Sequence, residues 1–402
     1  MDRLPRAVAA AVSDQGVPSR YSTPVAVDRR RLEEARSTAV ETIDSNLEGY
    51  CDRFPTPSST EYRYGTVPNT NGWTQGFWTG LCWLAYEITG TERFRRSAQA
   101  QLETFDRRLE SGAIATHDLG FLYTLSAVAG HQLTGTPAYR STALSAANLL
   151  CDRFLPAPGM IQAWDSMDDP RNPDNQGRMI ADTMMNLPLL YWASETTGND
   201  DYQRIADTHA RTNAATIVRA DGSTFHTFDF DVASGEPLMG GTHQGHATES
   251  CWSRGQAWQL YGYAIAAAHT GQEAYTTLAC KLANYYLDAL PEDHVPHWDF
   301  DAPAEPGIRD SSAAAIAVCG LDTLSRVLAL ASEQQTAYRN AALATLDSLA
   351  ASYTTPATSN GLLTDGAYNT PEDDYDECTI WGDYFFVEGL CRATKTHRPF
   401  WY

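Results

Sequence analysis

Two aspartates stand where an isolated charge is disfavoured. Asp182 lies within "RMIADTMMNLPLLYWA", flanked by Met179, Ile180, Met184 and Met185, and Asp118 opens the apolar run "HDLGFLYTLSAVAG". A carboxylate taken out of water without a partner is penalised, and it responds by holding its proton toward neutral pH. A group of that kind can protonate a substrate, so Asp182 is the candidate general acid and Asp118 its candidate assistant. Pro188 disfavours a helix running through Asp182 and suits a first helical turn. The sequence therefore predicts Asn186 as the cap and Asp182 on the lead-in, while Asp118 would itself cap the helix it precedes. The alternative for either residue is a structural carboxylate bonded to backbone amides.

The other polar clusters carry tryptophan. "NGWTQGFW", "THD", "DNQGRMIAD", "GGTHQGHATESCWSRGQAW", "GIRDSS" and "DECTIWGDY" each precede or open an apolar stretch. Helix capping accounts for their Asp, Asn, Ser and Thr. It does not account for Trp73, Trp78, Trp164, Trp252, Trp258 and Trp381, whose indoles offer flat faces to sugar rings. A carbohydrate pocket explains both. His243 and His246 have no third clustered ligand, so they are predicted to be satisfied or substrate-facing and no metal is expected. "DDPRNPDNQG" lacks the spacing of a calcium loop. Walker, Rossmann and GxSxG signatures are missing as well, and no cofactor is called for.

An internal repeat indicates what must position these residues. "TGTERFRRSA", "TGTPAYRSTA", "TGNDDYQRIA" and "TGQEAYTTLA" each place an aromatic four residues before an alanine, on one helical face, and "QQTAYRNAA" repeats the pattern without Thr-Gly. The glycine stands where a preceding helix would end. These copies start polar helices near 91–109, 137–153, 200–217, 273–289 and 336–354, and 29–47 resembles them. Between them run nearly uncharged stretches at 74–89, 118–134, 183–197, 251–270, 310–331 and 379–395, as expected of helices buried all round. The alternation predicts an all-α fold, a toroid of six helical hairpins, (α/α)6, with at most a short β-hairpin near 224–231. If the inner helices share one direction, the polar clusters converge on one mouth. No linker is evident, so 1–402 is expected to form a single catalytic domain, with 1–28 a poorly defined extension.

Composition narrows the partners. The 402-residue chain carries a net charge of −21, which disfavours nucleic acid. No apolar run spans a membrane, and the start is a poor secretory signal, so the expected location is cytoplasmic. Eight cysteines stand singly, at 51, 82, 151, 251, 280, 319, 378 and 391, and are expected to be reduced core residues. Nothing fixes the oligomeric state.

The blocks "NGWTQGFWTGLCWLAYEITG", "HDLGF", "ADTMMNLPLLYWAS", "GGTHQGHATESCWSRGQAWQLYG" and "WGDYFFVEGLCR" resemble the unsaturated glucuronyl hydrolases of glycoside hydrolase family 88. The resemblance runs in order from about residue 30 to 395 and implies an (α/α)6 barrel. It also implies a lyase-generated oligosaccharide bearing a 4,5-unsaturated uronic acid at its non-reducing end, released by hydration of the C4=C5 double bond. By the same resemblance Asp182 is the acid/base and Asp118 its assistant. Trp73, Phe77 and His117 would line the unsaturated ring's subsite with Trp258 nearby, His226, Gln244 and Arg254 would make polar contacts, and Trp164 would lie toward the leaving sugar. Arg254 also suits a uronate carboxylate physically, its alternative being a helix ion pair. The rivals are an unsaturated rhamnogalacturonyl hydrolase, an inverting glycosidase on saturated glycans and a non-catalytic sugar-binding toroid. The acidic loop "YNTPEDDYDECT" disfavours a sulfated leaving sugar if it borders that subsite.

The basic residues are 27 arginines and two lysines, Lys281 and Lys395. Adaptation to concentrated salt and a coding bias toward arginine both produce this pattern. Salt adaptation predicts a melting temperature that rises steeply with potassium chloride and an unstable protein at low salt. Full stability in dilute buffer assigns the pattern to coding bias.

Overall fold

Helices of two kinds alternate along the chain. The outer ones are α1 (Arg29–Asn46), α3 (Glu92–Ser111), α5 (Pro137–Cys151), α7 (Asp200–Thr216), α9 (Glu273–Ala289) and α11 (Ser332–Ser352). The inner ones are α2 (Gln75–Thr89), α4, α6 (Pro188–Thr197), α8 (Ser253–Thr270), α10 (Ser311–Arg326) and α12 (Ile380–Thr394). Helix α4 comprises Leu119–Tyr123, a π-helical turn Thr124–Val128, and Ala129–Thr134. The computed structural model describes residues 16–167, 175–326, 330–395, 397 and 399–402. The first fifteen residues, and most of the "DDPRNPDNQG" segment, lie outside them.

Inner helices are buried on every side: all residues of 75–85, 253–267, 311–325 and 380–392 are withdrawn from solvent. Outer helices bury one stripe; in α3 it is built on Phe94, Ala98, Gln101, Leu102 and Phe105. Contacts run α2–α4–α6–α8–α10–α12 and back to α2, which closes the ring. The expected (α/α)6 toroid is therefore the observed one.

The repeat has a mechanical explanation. Gly90, Gly135, Gly198 and Gly271 end α2, α4, α6 and α8 in the left-handed conformation, which favours glycine. The preceding threonine donates its hydroxyl to the carbonyl four residues back and accepts the N–H two residues on. One Thr-Gly pair thus stops an inner helix and turns the chain into the next outer one.

Strand content goes beyond the expected hairpin. Strands β1 (Phe54–Pro55) and β2 (Thr66–Val67) pair, as do β3 (Phe154–Leu155) and β4 (Met160–Ile161). Strands β5 (Arg178–Ile180), β6 (Thr227–Phe230) and β7 (Pro237–Gly241) form an antiparallel sheet in that order. It rests on a small apolar cluster of Met160, Met179, Ala181, Ile217 and Phe230. In the N-terminal segment expected to be an extension, the described part is docked. Tyr21 is buried, Arg20 Nη2 donates to Leu287 O and Leu290 O, and Asn340 Nδ2 donates to Tyr21 O. All eight cysteines are free; Cys51 is exposed rather than in the core, because its turn after α1 faces water.

The ring's axis is filled with aromatic side chains. Trp401 stacks on Phe385 at 5.8 Å, meets Phe121, Tyr261 and Tyr384 edge-on, and donates its indole N–H to Glu388 Oε2 at 2.9 Å. Glu388 is in turn paired with Arg392, which also reaches Asp322.

Where α4 crosses the lead-in to α6, there is no room for a side chain. A Cβ on Gly120 would lie 2.2 Å from Asn186 Cα and 2.5 Å from Asn186 O. Overpacking against backbone costs about 1–3 kcal/mol or more. Gly120→Ala should lower unfolding stability by at least that amount in denaturant titration. It should also reduce turnover, because Asn186 closes the turn that carries Asp182.

Candidate active site

One end of the ring opens into a cavity of about 360 Å³. Its walls come from the segments that lead into the inner helices: Trp73 before α2, His117 and Asp118 before α4, Ile180 and Asp182 before α6, His243 and Gln244 before α8, and Tyr368, Asn369, Glu372 and Asp374 before α12. Trp164 completes the wall from the 162–164 segment. The sixth lead-in contributes from behind: Asp310 Oδ1 caps α10 through Ser312 N, and its other oxygen pairs with Arg254.

Capping does not account for the two aspartates. Asp118 occupies the N-cap position of α4, yet its carboxylate caps nothing. Oδ2 accepts from Thr116 Oγ1 at 2.6 Å, and Oδ1 lies 3.3 Å from His117 Nε2 and 3.4 Å from Asn186 Nδ2. Asn186 is not the cap of α6 either; that position belongs to Leu187, with Pro188 in the first turn as expected. The Asn186 carboxamide instead accepts Phe121 N, so it ties the start of α4 to the turn Ala181–Met185. His117 Nδ1 to Thr183 Oγ1, at 2.7 Å, makes a second tie. Chain segments more than sixty residues apart thereby hold both carboxylates to one cavity.

The small sheet places the rest. Ala181 N donates to His226 O, His226 N donates to Gly241 O, and Gln259 Nε2 donates to Ala181 O. His226 Nδ1 accepts the N–H groups of His243 and Gln244, so its ring proton is on Nε2, 3.8 Å from Asp182 Oδ2. His226 also lies against Trp252 at 4.3 Å.

Asp182 is 9% exposed. Burial pushes its carboxyl up to about 7; the Asp118 charge adds to the rise, while Arg254 and the Trp258 indole N–H oppose it. Burial also drives His117 down to about 4, against the pull of Asp118, and holds His226 well below the usual histidine value. Both imidazoles are therefore neutral beside an acid that is about half protonated at neutral pH. Asp383 is pushed up to about 7 by burial too, but its oxygens accept Leu362 N, Leu363 N and the Tyr64 hydroxyl, which makes it an anchor for the 362–363 loop.

Of the residues singled out in the sequence, Asp182, Asp118, Trp73, His117, Trp164 and Gln244 line the cavity. Phe77, His226, Arg254 and Trp258 do not. Phe77 is fully buried beneath Trp73, and Trp258 is fully buried against Phe121. Arg254, 1% exposed, sits between Trp252 and Trp381 and donates to Asp310, Ala367 O and Tyr368 O. Its ion-pair partner, Asp310, lies in the lead-in to α10 rather than on its own helix, and its other bonds carry the loop that includes Tyr368. Sequence reasoning missed Tyr368, Asn369, Glu372 and Asp374 as individual residues; their only signal was the acidity of "YNTPEDDYDECT". His243 faces the cavity with its ring 5.2 Å from Trp164, whereas His246 lies against Trp298. Among the described residues no three His, Cys, Asp or Glu side chains are grouped to hold a metal ion. No described helix is long and apolar enough to cross a membrane.

The profile of Glycosyl Hydrolase Family 88 matches residues 47–376. The chain belongs to glycosyl hydrolase family 88. This family 88 enzyme is 40% identical over 365 residues to the unsaturated glucuronyl hydrolase of Bacillus sp. (strain GL1), covering 89% of its own chain and 95% of that relative. It is 35% identical over 390 residues to the unsaturated chondroitin disaccharide hydrolase of Streptococcus pneumoniae (strain ATCC BAA-255 / R6), covering 96% and 97%. The crystal structure of an unsaturated glucuronyl hydrolase from Streptococcus agalactiae matches with a TM-score of 0.91 at 34% identity, over 97% and 98% of the two chains. A variant of that protein, complexed with dGlcA-GalNAc6S, matches at 0.84 and 33% over the same shares.

A carboxyl whose pKa is raised by folding favours the folded state fully below its unfolded value, near 4, and loses that contribution as pH rises through about 7. Asp182→Asn should therefore be more stable than the parent enzyme at pH 8, by an amount on the order of 4 kcal/mol. The difference should shrink to nothing toward pH 4. Asp383 titrates in both proteins and cancels. Denaturant melts at the two pH values measure this.

Proposed function

We propose that this family 88 enzyme removes a 4,5-unsaturated uronic acid from the non-reducing end of a short oligosaccharide by hydrating its C4=C5 double bond. The observation that carries this reading is the Asp182 carboxyl, buried and pushed up to about 7, beneath a cavity walled by Trp73 and Trp164. An enol ether is activated by protonation at carbon, which requires an acid still protonated near neutral pH. Asp182 delivers its proton to C4, water adds at C5, and the carboxylate left behind takes the proton that the water releases. The resulting hemiketal opens and expels the adjoining sugar. Neutral His226, with its ring N–H toward Asp182, and the Trp258 indole N–H face the carboxylate as it forms. Asp118, held by Thr116 and Asn186, assists from the α4 side.

The leaving sugar in this reading is unsulfated. Glu372 and Asp374 line the cavity beside Asp118 and Asp182, and no lysine or arginine is among the described lining residues. A sulfate there meets carboxylates and no fixed cation. The whole toroid acts as one catalytic domain, and eight free cysteines fit a reducing cytoplasm.

Hydration removes the conjugated alkene and with it the ultraviolet absorbance. The enzyme should bleach unsulfated unsaturated disaccharides, with kcat/KM at least about tenfold above that for their sulfated counterparts. No bleaching of any unsaturated uronide overturns the reaction; preference for the sulfated series overturns only the leaving-sugar assignment. Asp182→Asn should lose nearly all turnover, about 10³-fold or more, and Asp118→Asn should lose turnover without loss of fold. Near-parental turnover in Asp182→Asn would reassign the acid.

A further inference from the structure

Behind Trp164 lies a buried guanidinium that faces no substrate. Arg153, at the foot of α5, donates through Nε to Gln162 O at 2.9 Å and through Nη2 to Ala163 O and Trp164 O at 3.1 Å each. Among the described residues no carboxylate lies within ion-pair distance of it. Burial pushes it down to about 10, so it remains charged at neutral pH. Asp118 and Asp165 are close enough to favour its charged form, but its hydrogen bonds all go to backbone carbonyls.

What the cation holds explains why it is there. Its three acceptors are consecutive carbonyls of the segment that ends in the Trp164 wall. The middle one, Ala163 O, also accepts His117 N at 2.9 Å, and Thr116 bridges to Trp164. On its other side the segment is bound by Ala163 N to Arg178 O, at the start of β5. The Trp164 wall and the His117–Asp118 turn are therefore joined at one carbonyl, which Arg153 fixes.

We propose that Arg153 is a positioning residue that sets the separation between the Asp118 turn and the Trp164 wall, and through it the seating of the leaving sugar. It touches neither the substrate nor the reacting atoms. The inference rests on the proposed hydrolysis for its kinetic assay.

The test compares two substrates, an unsaturated disaccharide and the methyl glycoside of the same unsaturated uronic acid, which has no leaving sugar to seat. Arg153→Gln should raise KM for the disaccharide about tenfold and leave KM for the methyl glycoside unchanged within about twofold. In a Trp164→Ala background the same change should add nothing further, because its effect passes through that side chain. Arg153→Lys keeps the charge but reaches fewer carbonyls, so it should show the same split at smaller amplitude; it decides the matter if the glutamine variant does not fold. Equal KM changes on both substrates, parental KM on the disaccharide, or an undiminished effect without Trp164 each overturn the proposal. If the parent enzyme hydrates no unsaturated uronide, it is the proposed function that fails. Amide exchange then reads Arg153 alone: faster exchange at 162–164 and 117 in Arg153→Gln supports the stitch, and parental exchange overturns it.

Discussion

Ionising a carboxyl group above a floor of aromatic rings is expensive, and the cavity is organised around that cost. Asp182 keeps its proton because water is withdrawn from it and because Asp118 is a second negative charge nearby. The same dryness keeps His117 and His226 neutral. Arg254 is the one nearby charge that favours ionisation of Asp182, and it is largely committed to Asp310 and to two backbone carbonyls. The result is a reservoir of one proton, reached from the cavity and sealed from below.

A ring of helices converts this local chemistry into geometry. Five of the six inner helices start at the cavity and the sixth starts just behind it, so residues far apart in sequence reach one space. Direct ties then fix their spacing: Thr183 to His117, Asn186 to the start of α4, and Ala163 to His117. These are side-chain and backbone bonds made at or just before helix entrances, where the first N–H groups have no partners within the helix, as with Phe121 N on Asn186. The helix ends that a toroid must leave open are the places where this enzyme joins its walls.

Much of this was legible in the sequence, and the limit is a physical one. The Thr-Gly repeat, the alternation of polar and apolar helices and the position of Asp182 ahead of α6 follow from short-range rules that any chain obeys. Depth below the cavity surface does not. Phe77 and Trp73 belong to one motif, yet Trp73, ahead of the helix, faces the cavity while Phe77, inside its first turn, lies beneath it. Arg254 reads as a ligand for an anion, and nothing near it in sequence indicates its pairing with Asp310, the cap of another helix. Asp118 reads as a cap until the structure shows Thr116 and Asn186 holding it elsewhere. Glu372 and Asp374 belong to a loop without periodicity, so only their charge, and not their position, could be read.

The column of rings along the axis has a further consequence. Trp401 closes the ring from the side opposite the cavity, wedged among Phe121, Tyr261, Tyr384 and Phe385 and tethered to a buried Glu388–Arg392 pair. Among the described residues the axis is filled at that end, and the cavity lies at the other. Solvent and ligands therefore exchange with the cavity through the mouth formed at the helix entrances.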